Sequence, residues 1–270
     1  MRAVRLLLLL LTLATALCAQ SAPPSASYSF APQAEQEIAR LVNRERQARG
    51  LPALVMDERL RRVAREHSAL MASTGEVDHQ LPGEPRFLSR LQAQRLRYDA
   101  SGENIAFNLD AAHAHASLMN SPGHRANILA EQYNSIGVGV LQTPTGIYVT
   151  QDFIRGFPEA SVEEAEATVA SHLNELRRAA GAPVLSRVSA PDLRKHACAM
   201  AASNKLDPRS LMSSRVASSL AFTAVDLAQT SASLEGLRTR QARSFAVGAC
   251  YQSSATYENP VFWIVVVTYF

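Results

Sequence analysis

The segment EATVASHLNELRRAAGAPVL at 166–185 can be laid on EQEIARLVNRERQARGLPAL at 35–54 without a gap. Ala170 falls on Ala39, Asn174 on Asn43, Arg177 on Arg46, Gly181 on Gly50, Pro183 on Pro52 and Leu185 on Leu54. After a two-residue deletion RKHACAMA (194–201) matches REHSALMA (65–72), which sets His196 on His67. ASSLAFTAVD (217–226) then falls on GENIAFNLDA (102–111), and FAVGA (245–249) on IGVGV (136–140). The final VVVTYF falls near YVTQDF. The period is far longer than that of a solenoid repeat, so the chain reads as two copies of one domain. The boundary lies near Gly156-Phe157-Pro158, and 270 residues suit two domains of roughly 100–130 residues better than one.

What precedes the first copy has a different character. Arg2 and Arg5 lead into the apolar run Leu6–Leu17, and small residues follow, the pattern of a secretory signal at 1–19 cleaved after Ala19. The run is shorter than the ~20 residues of an ordinary membrane span. Cys18 offers a lipoprotein alternative, against which Leu17 stands where a small residue is wanted. Residues 20–33 form a Pro/Ser/Ala-rich leader. The first domain is expected over 34–156 and its shortened partner over 160–270. The chain is expected to be secreted or periplasmic, with no transmembrane span. If Cys18 leaves with the signal, Cys198 and Cys250 remain, and an even pair in an exported chain points to one disulfide; two buried free thiols are the alternative. A net charge of +3, with no Lys/Arg cluster, argues against a nucleic-acid surface.

Periodicity predicts the main elements. Ile38, Leu41 and Val42 give residues 34–50 an apolar face, closed by Gly50. Leu60, Val63, Ala64, His67, Leu70 and Met71 line one face of a second helix over 57–73, with Asp57 as its N-cap. Residues 135–153 read as two strands around a Pro-Thr-Gly turn, and VFWIVVVTYF (261–270) as a buried strand.

Three polar groups of the first copy stand apart: His79 in VDHQLPGE, Glu103 in SGENIAF and His124 in SPGHRANIL. Two imidazoles and a carboxylate are a competent ligand set for a divalent metal such as zinc, with positions open to water. They are equally an acid–base set, since a neutral imidazole beside a carboxylate exchanges protons near neutral pH. Spacing alone does not decide, for there is neither HExxH nor CxxC, and separated histidines are more often structural.

GENIAF, SPGHRANIL, IGVGV and YVTQDF, in this order after two amphipathic helices, resemble the CAP superfamily over residues 34–155. This is the family of cysteine-rich secretory proteins, antigen 5 and plant pathogenesis-related 1 proteins, here in its bacterial, SCP-like branch. The resemblance implies an α+β fold, an α-β-α sandwich present twice in tandem with the second copy shortened. It also implies a cleft lined by histidines and glutamates that binds zinc in some members, and carries over to His79, Glu103 and His124. The chain departs from the family pattern at Leu118-Met119-Asn120-Ser121, where many members have Trp and many eukaryotic ones a second cleft glutamate follows.

The second copy tests the set. Asp207-Pro208 falls on Asp78-His79, Ser218 on Glu103, and Leu237 on His124, so all three groups are missing together while His67 keeps its match in His196. Joint loss marks three groups that do not hold the core. In the second copy a Cys198–Cys250 bond would tie the second helix to a sheet strand and compensate a small core. Other polar residues take plainer roles. His67 packs on its helix face with its polar tip satisfied. His113 and His115 diverge on a helix and face solvent. His172 lies at a surface or domain contact, and Asn104 holds the loop after Glu103. Ser121 caps a helix that starts at Pro122, and the GVG of IGVGV is a packed strand rather than a phosphate loop. Three functions stay open. One is a binding or envelope-associated module whose partner is a metal, a small molecule, a lipid or an extracellular protein. Another is a metal-assisted hydrolase of peptides or esters with Glu103 as base, and the last a purely structural envelope protein.

Overall fold

The computed structural model describes residues 28–237 and 241–270. The signal segment, Cys18 and the start of the leader lie outside the described residues. The end of the leader is already part of the fold. Ser29–Phe30 (β1) pairs antiparallel with Leu141 and Gln142, and helix α1 begins at Pro32 rather than at 34.

In the first half α1 (Pro32–Gln47) and α2 (Glu58–Thr74) form where the apolar spacing predicts. Asp57 caps α2, accepting from Arg59 N at 2.8 Å and Leu60 N at 3.1 Å, and Gly75 ends it at φ 74°, a left-handed turn natural to glycine. Between them β2 (Val55–Met56) joins the sheet. Then follow α3 (Phe87–Ala93), β3 (Tyr98–Asn108), α4 (Ala111–Asn120), α5 (Pro122–Leu129), β4 (Ser135–Thr143) and β5 (Gly146–Gly156). The sheet runs β1-β4-β5-β3, with β2 parallel to the start of β4 and the long strands antiparallel. Helices cover both faces. Ile136, Val138 and Val140 pack with Ile38, Val42, Leu118 and Ile128 on one side. Leu60, Val63, Leu91 and Ile154 pack on the other.

The glycines of IGVGV explain how α2 lies so close. A Cβ at Gly137 would stand 2.3 Å from the Leu60 carbonyl carbon, and one at Gly139 2.3 Å from that of Ala64. The motif is a packing surface for a helix backbone, as its strand reading expects.

The second half comprises α6 (Val162–Ala179), β6 (Ser186–Arg187), α7 (Pro191–Ser203), β7 (Val216–Ala224), β8 (Ser244–Gln252) and β9 (Val261–Tyr269). Its sheet runs β6-β8-β9-β7, with β6 parallel to β8 and the rest antiparallel. Ser161 starts α6 with a reciprocal capping box to Glu164. Equivalent bonds recur in both halves. Asn43 exchanges two hydrogen bonds with the Leu54 backbone, and Asn174 does the same with Leu185. Buried Arg46 donates to Pro52 O and Ile128 O; buried Arg177 donates to Pro183 O and Leu237 O. Buried Glu35 pairs with Arg65 and accepts from Val140 N, as buried Glu166 pairs with Arg194 and accepts from Ala249 N. Cys198 on α7 and Cys250 on β8 are bonded.

These bonds correct two of the sequence correspondences. Leu237 takes the place of Ile128, not of His124, because its carbonyl receives the buried arginine. Register places Ser219, not Ser218, opposite Val267 as Glu103 stands opposite Asp152. The same offset holds along the regular part of both strands, where Phe222 rather than Ala221 stands at the place of Ala106, and one residue of offset reverses the face of every side chain.

Candidate functional site

The cleft is built at the edge strand β3 and the two loops beside it. Glu103 lies in β3 with a buried carboxylate, on the sheet face that α2 covers. Asn104 points the other way and fastens α5. Its amide donates to His124 O at 3.0 Å and to Gln151 Oε1 at 3.1 Å, while its oxygen accepts from Asn127 at 2.9 Å. Asn127 also donates to Glu103 O at 3.2 Å. Asn104 therefore belongs to the strand itself, and what it holds is the helix start that carries His124. Pro122 opens α5 as expected, but the Ser121 side chain makes no capping hydrogen bond.

His79, on the loop after α2, meets Glu103 directly, Nδ1 to Oε1 at 2.9 Å. The second oxygen of Glu103 accepts from Arg90 on α3 at 2.8 Å. Arg90 is itself buried and lies 3.4 Å from Glu84, which bonds His67 Nδ1 at 2.7 Å. An alternating row His67–Glu84–Arg90–Glu103–His79 thus runs from the core to the cleft. The fully buried His67 does pack on its helix face, but only its Nδ1 is satisfied; Nε2 has no hydrogen-bond partner.

The electrostatics follow from this row. The Glu103 bond raises His79 above its usual range, against the opposing effect of partial burial. Burial works to raise Glu103, but the His79 bond and the Arg90 charge outweigh it and hold its carboxyl below the usual value. Desolvation and the neighbouring His79 lower His124, which favours its neutral form. The rings of His79 and His124 are 6.4 Å apart, centre to centre. Beneath Glu103, Asp152 is fully buried; burial, and next the charge of Glu103, push it well above the ordinary carboxylate range, and a side-chain hydrogen bond with Glu103 works in the same direction.

The structure therefore brings the three expected residues to one place: His79 bonded to Glu103, and His124 with its ring near that of His79. They do not form a ready three-ligand centre. Among the described residues no group of three or more His, Cys, Asp and Glu side chains converges as a metal site, and both Glu103 oxygens are already bonded. Sequence reasoning missed Arg90, Glu84 and Asp152. A buried arginine on a seven-residue helix has no periodic signature, and Asp152 shows itself only through register, where the second half has Val267. The other histidines divide. His113 is exposed and bonds Asp110, as a solvent-facing residue should. His115, expected in solvent, is buried against α1, with burial lowering its pKa and neither ring nitrogen partnered. His172 bonds Thr230 at 2.8 Å within the second half.

An antiparallel sheet flanked by helices on both faces, with a His/Glu cleft at its edge, defines a class of small mixed α+β domain. Residues 39–153 match the CAP family model, described as the cysteine-rich secretory protein family. The chain is 36% identical over 121 residues to the uncharacterized protein YkwD of Bacillus subtilis, covering 44% of this chain and 46% of YkwD. It is 34% identical over 122 residues to the uncharacterized membrane protein YlbC of Bacillus subtilis, covering 45% of this chain and 34% of YlbC. The chain thus spans less than half the length of these curated relatives. A crystal structure of an extracellular protein containing a SCP domain from Bacillus anthracis is 35% identical, covering 46% of this chain and 41% of that one, with a TM-score of 0.43. Among the described residues no helix is long and apolar enough to cross a membrane.

Proposed function

We propose that the protein is an exported binding module, in which the CAP cleft takes a ligand through His79 and His124 and the second half is a shortened copy without that site. The observation that carries this reading is the state of Glu103. Bonded at one oxygen by His79 and at the other by Arg90, it orients an imidazole; a carboxylate held below its usual pKa is a weak general base. That weighs against the hydrolase reading. The Glu103 bond at Nδ1 turns the other nitrogen of His79 outward, the arrangement by which carboxylates prepare histidines for ligands or metals. His124, favoured as neutral, offers a second nitrogen. A divalent metal such as zinc would find two nitrogens here, with Glu103 behind them rather than in a three-ligand set.

The copy reading is supported by the matched bonds of Asn43 and Asn174, Arg46 and Arg177, and Glu35 and Glu166. Export is supported by the basic-then-apolar pattern of residues 2–17 and by the Cys198–Cys250 bond, which suits an oxidising compartment. The test is a calorimetric titration of the mature protein with zinc, repeated on His79→Ala and His124→Ala. Either substitution should weaken binding at least tenfold. Equal affinity in all three proteins, or no heat in the parent, removes the metal from the proposal. Mass analysis of the protein recovered outside the cytoplasm should show loss of residues 1–19.

A further inference from the structure

The two halves meet along the segment that carries the cation of the cleft. Arg97, between α3 and β3, is buried with its guanidinium 4.8 Å from the centre of the Phe262 ring, and it donates to the carbonyls of Pro158 and Val225. Gln92, on α3, donates to Glu258 O at 3.0 Å and to Asn259 Oδ1 at 3.1 Å. Tyr98 OH, at the start of β3, donates to the same Asn259 oxygen at 3.0 Å. Glu258 and Asn259 sit on the hairpin joining β8 to β9. That hairpin therefore grips both sides of the 92–98 segment through one side-chain oxygen, which two donors fill.

This grip matters because α3 has little to hold it. It spans two turns, has no side-chain cap at its N-terminus, and is too short to be stable alone. Yet it carries Arg90, the residue that fixes Glu103 and, through it, His79. The same hairpin reaches the site itself. A cavity of about 750 Å3 is lined by His79, Arg86, Phe87, Gln92 and Glu103 from the first half and by Glu258 from the second.

We propose that the second half is a clamp on the cleft of the first: Asn259 is a positioning residue that fixes α3, hence Arg90 and the Glu103–His79 pair, and Glu258 forms one wall. This gives a half that lacks counterparts of His79, Glu103 and His124 a part in the cleft, and it rests on the reading of that cleft as a binding site. The test uses the full mature chain and two readouts, amide exchange over residues 87–98 and the ring resonances of His79. Asn259→Ala should speed exchange there at least tenfold relative to α1 and α2 and shift the His79 signals. Asn259→Asp keeps the accepting oxygen and should restore both. Tyr98→Phe keeps the ring but loses one of the two bonds, and should show a smaller rise in the same segment. Unchanged exchange and unchanged His79 signals in Asn259→Ala overturn the clamp, as does failure of Asn259→Asp to restore them. Should Asn259→Ala not fold, unchanged exchange in Tyr98→Phe overturns it. Neither readout involves a ligand, so the outcome is independent of whether zinc binds.

Discussion

At one place in each half the two sheets carry opposite chemistry. In the first, Gly137, Asp152 and Glu103 lie side by side across three strands, and His79 meets Glu103 from the loop above. In the second, Ala246, Val267 and Ser219 take those positions, and Ser219 donates to Pro208 O at 2.8 Å. Elsewhere the halves agree, even in costly groups. Arg46 and Arg177 are both buried, and both donate to backbone carbonyls. Burial of a charge is therefore not in itself a mark of function here. Arginines that hold the backbone occur in both halves, whereas the row ending in Arg90, Glu103 and His79 occurs in one. Asp152 sharpens the point, since a fully buried carboxyl beside Glu103 stands where the second half has the apolar Val267.

The sharpest way to break this comparison is at the glycines. Gly137 lies under the first turns of α2, whereas α7 starts only at Pro191 and Ala246 stands at the matching place in the sheet. Gly137→Ala should cost about 3 kcal/mol or more, because its Cβ meets helix backbone that cannot yield locally. Ala246→Gly should cost only about 1 kcal/mol, the usual penalty of a strand glycine. Chemical denaturation of the two variants measures the difference. Equal losses would mean that α2 and α7 approach their sheets alike.

The disulfide belongs to the second half alone, and its removal should sharpen the contrast between the halves. Cys198→Ala with Cys250→Ala opens a 52-residue loop and should lower stability by about 2–4 kcal/mol. Trp263, the one tryptophan of the chain, lies beside Cys250 in the sheet and reports that transition by fluorescence. Exchange in α1 and α2 should be unchanged. A matching loss there would show that the two halves unfold as one unit.

How far the sequence leads differs by level. The helical spacing of Ile38, Leu41 and Val42, the Asp57 cap, the packed glycines and the meeting of His79, Glu103 and His124 are all legible, because each rests on local periodicity or on ordered motifs. The partners of Glu103 are not. Arg90 and Glu84 reach the site through tertiary packing around a short helix, and no local pattern distinguishes a buried arginine from a solvated one. The slip from Ser219 to Ser218 has a different cause. Sequence matching sets Ala221-Phe222 on Ala106-Phe107 by identity, whereas pairing across the sheet sets Phe222 at the place of Ala106 and carries that offset to Ser219. His115 shows the same limit, for helical spacing separates it from His113 but does not say which of the two meets α1.

The smallest effect compares the His79–Glu103 pair with the Ser219–Pro208 bond, and pH separates them. His79 is raised above its ordinary 6.5, so its contribution is fully present below about 6.5 and is lost as pH rises through the higher folded value. Glu103 is lowered below its ordinary 4.5, so its contribution is present above about 4.5 and is lost as pH falls through the lower folded value. The pair is therefore worth most between about 4.5 and 6.5. With 54% of the His79 side chain exposed, solvent screening limits that worth to about 1 kcal/mol or less. The stability difference between the parent and His79→Ala should be greatest near pH 5–6 and shrink on either side. Ser219→Ala removes a bond between groups that do not titrate, so its cost, about 1 kcal/mol, should stay level across the same range. Thermal unfolding of both variants from pH 4 to 8 reads the two curves. A flat His79→Ala curve would mean that the imidazole holds its place by packing and hydrogen bonding without a charge, and the row from His67 would then end at Glu103.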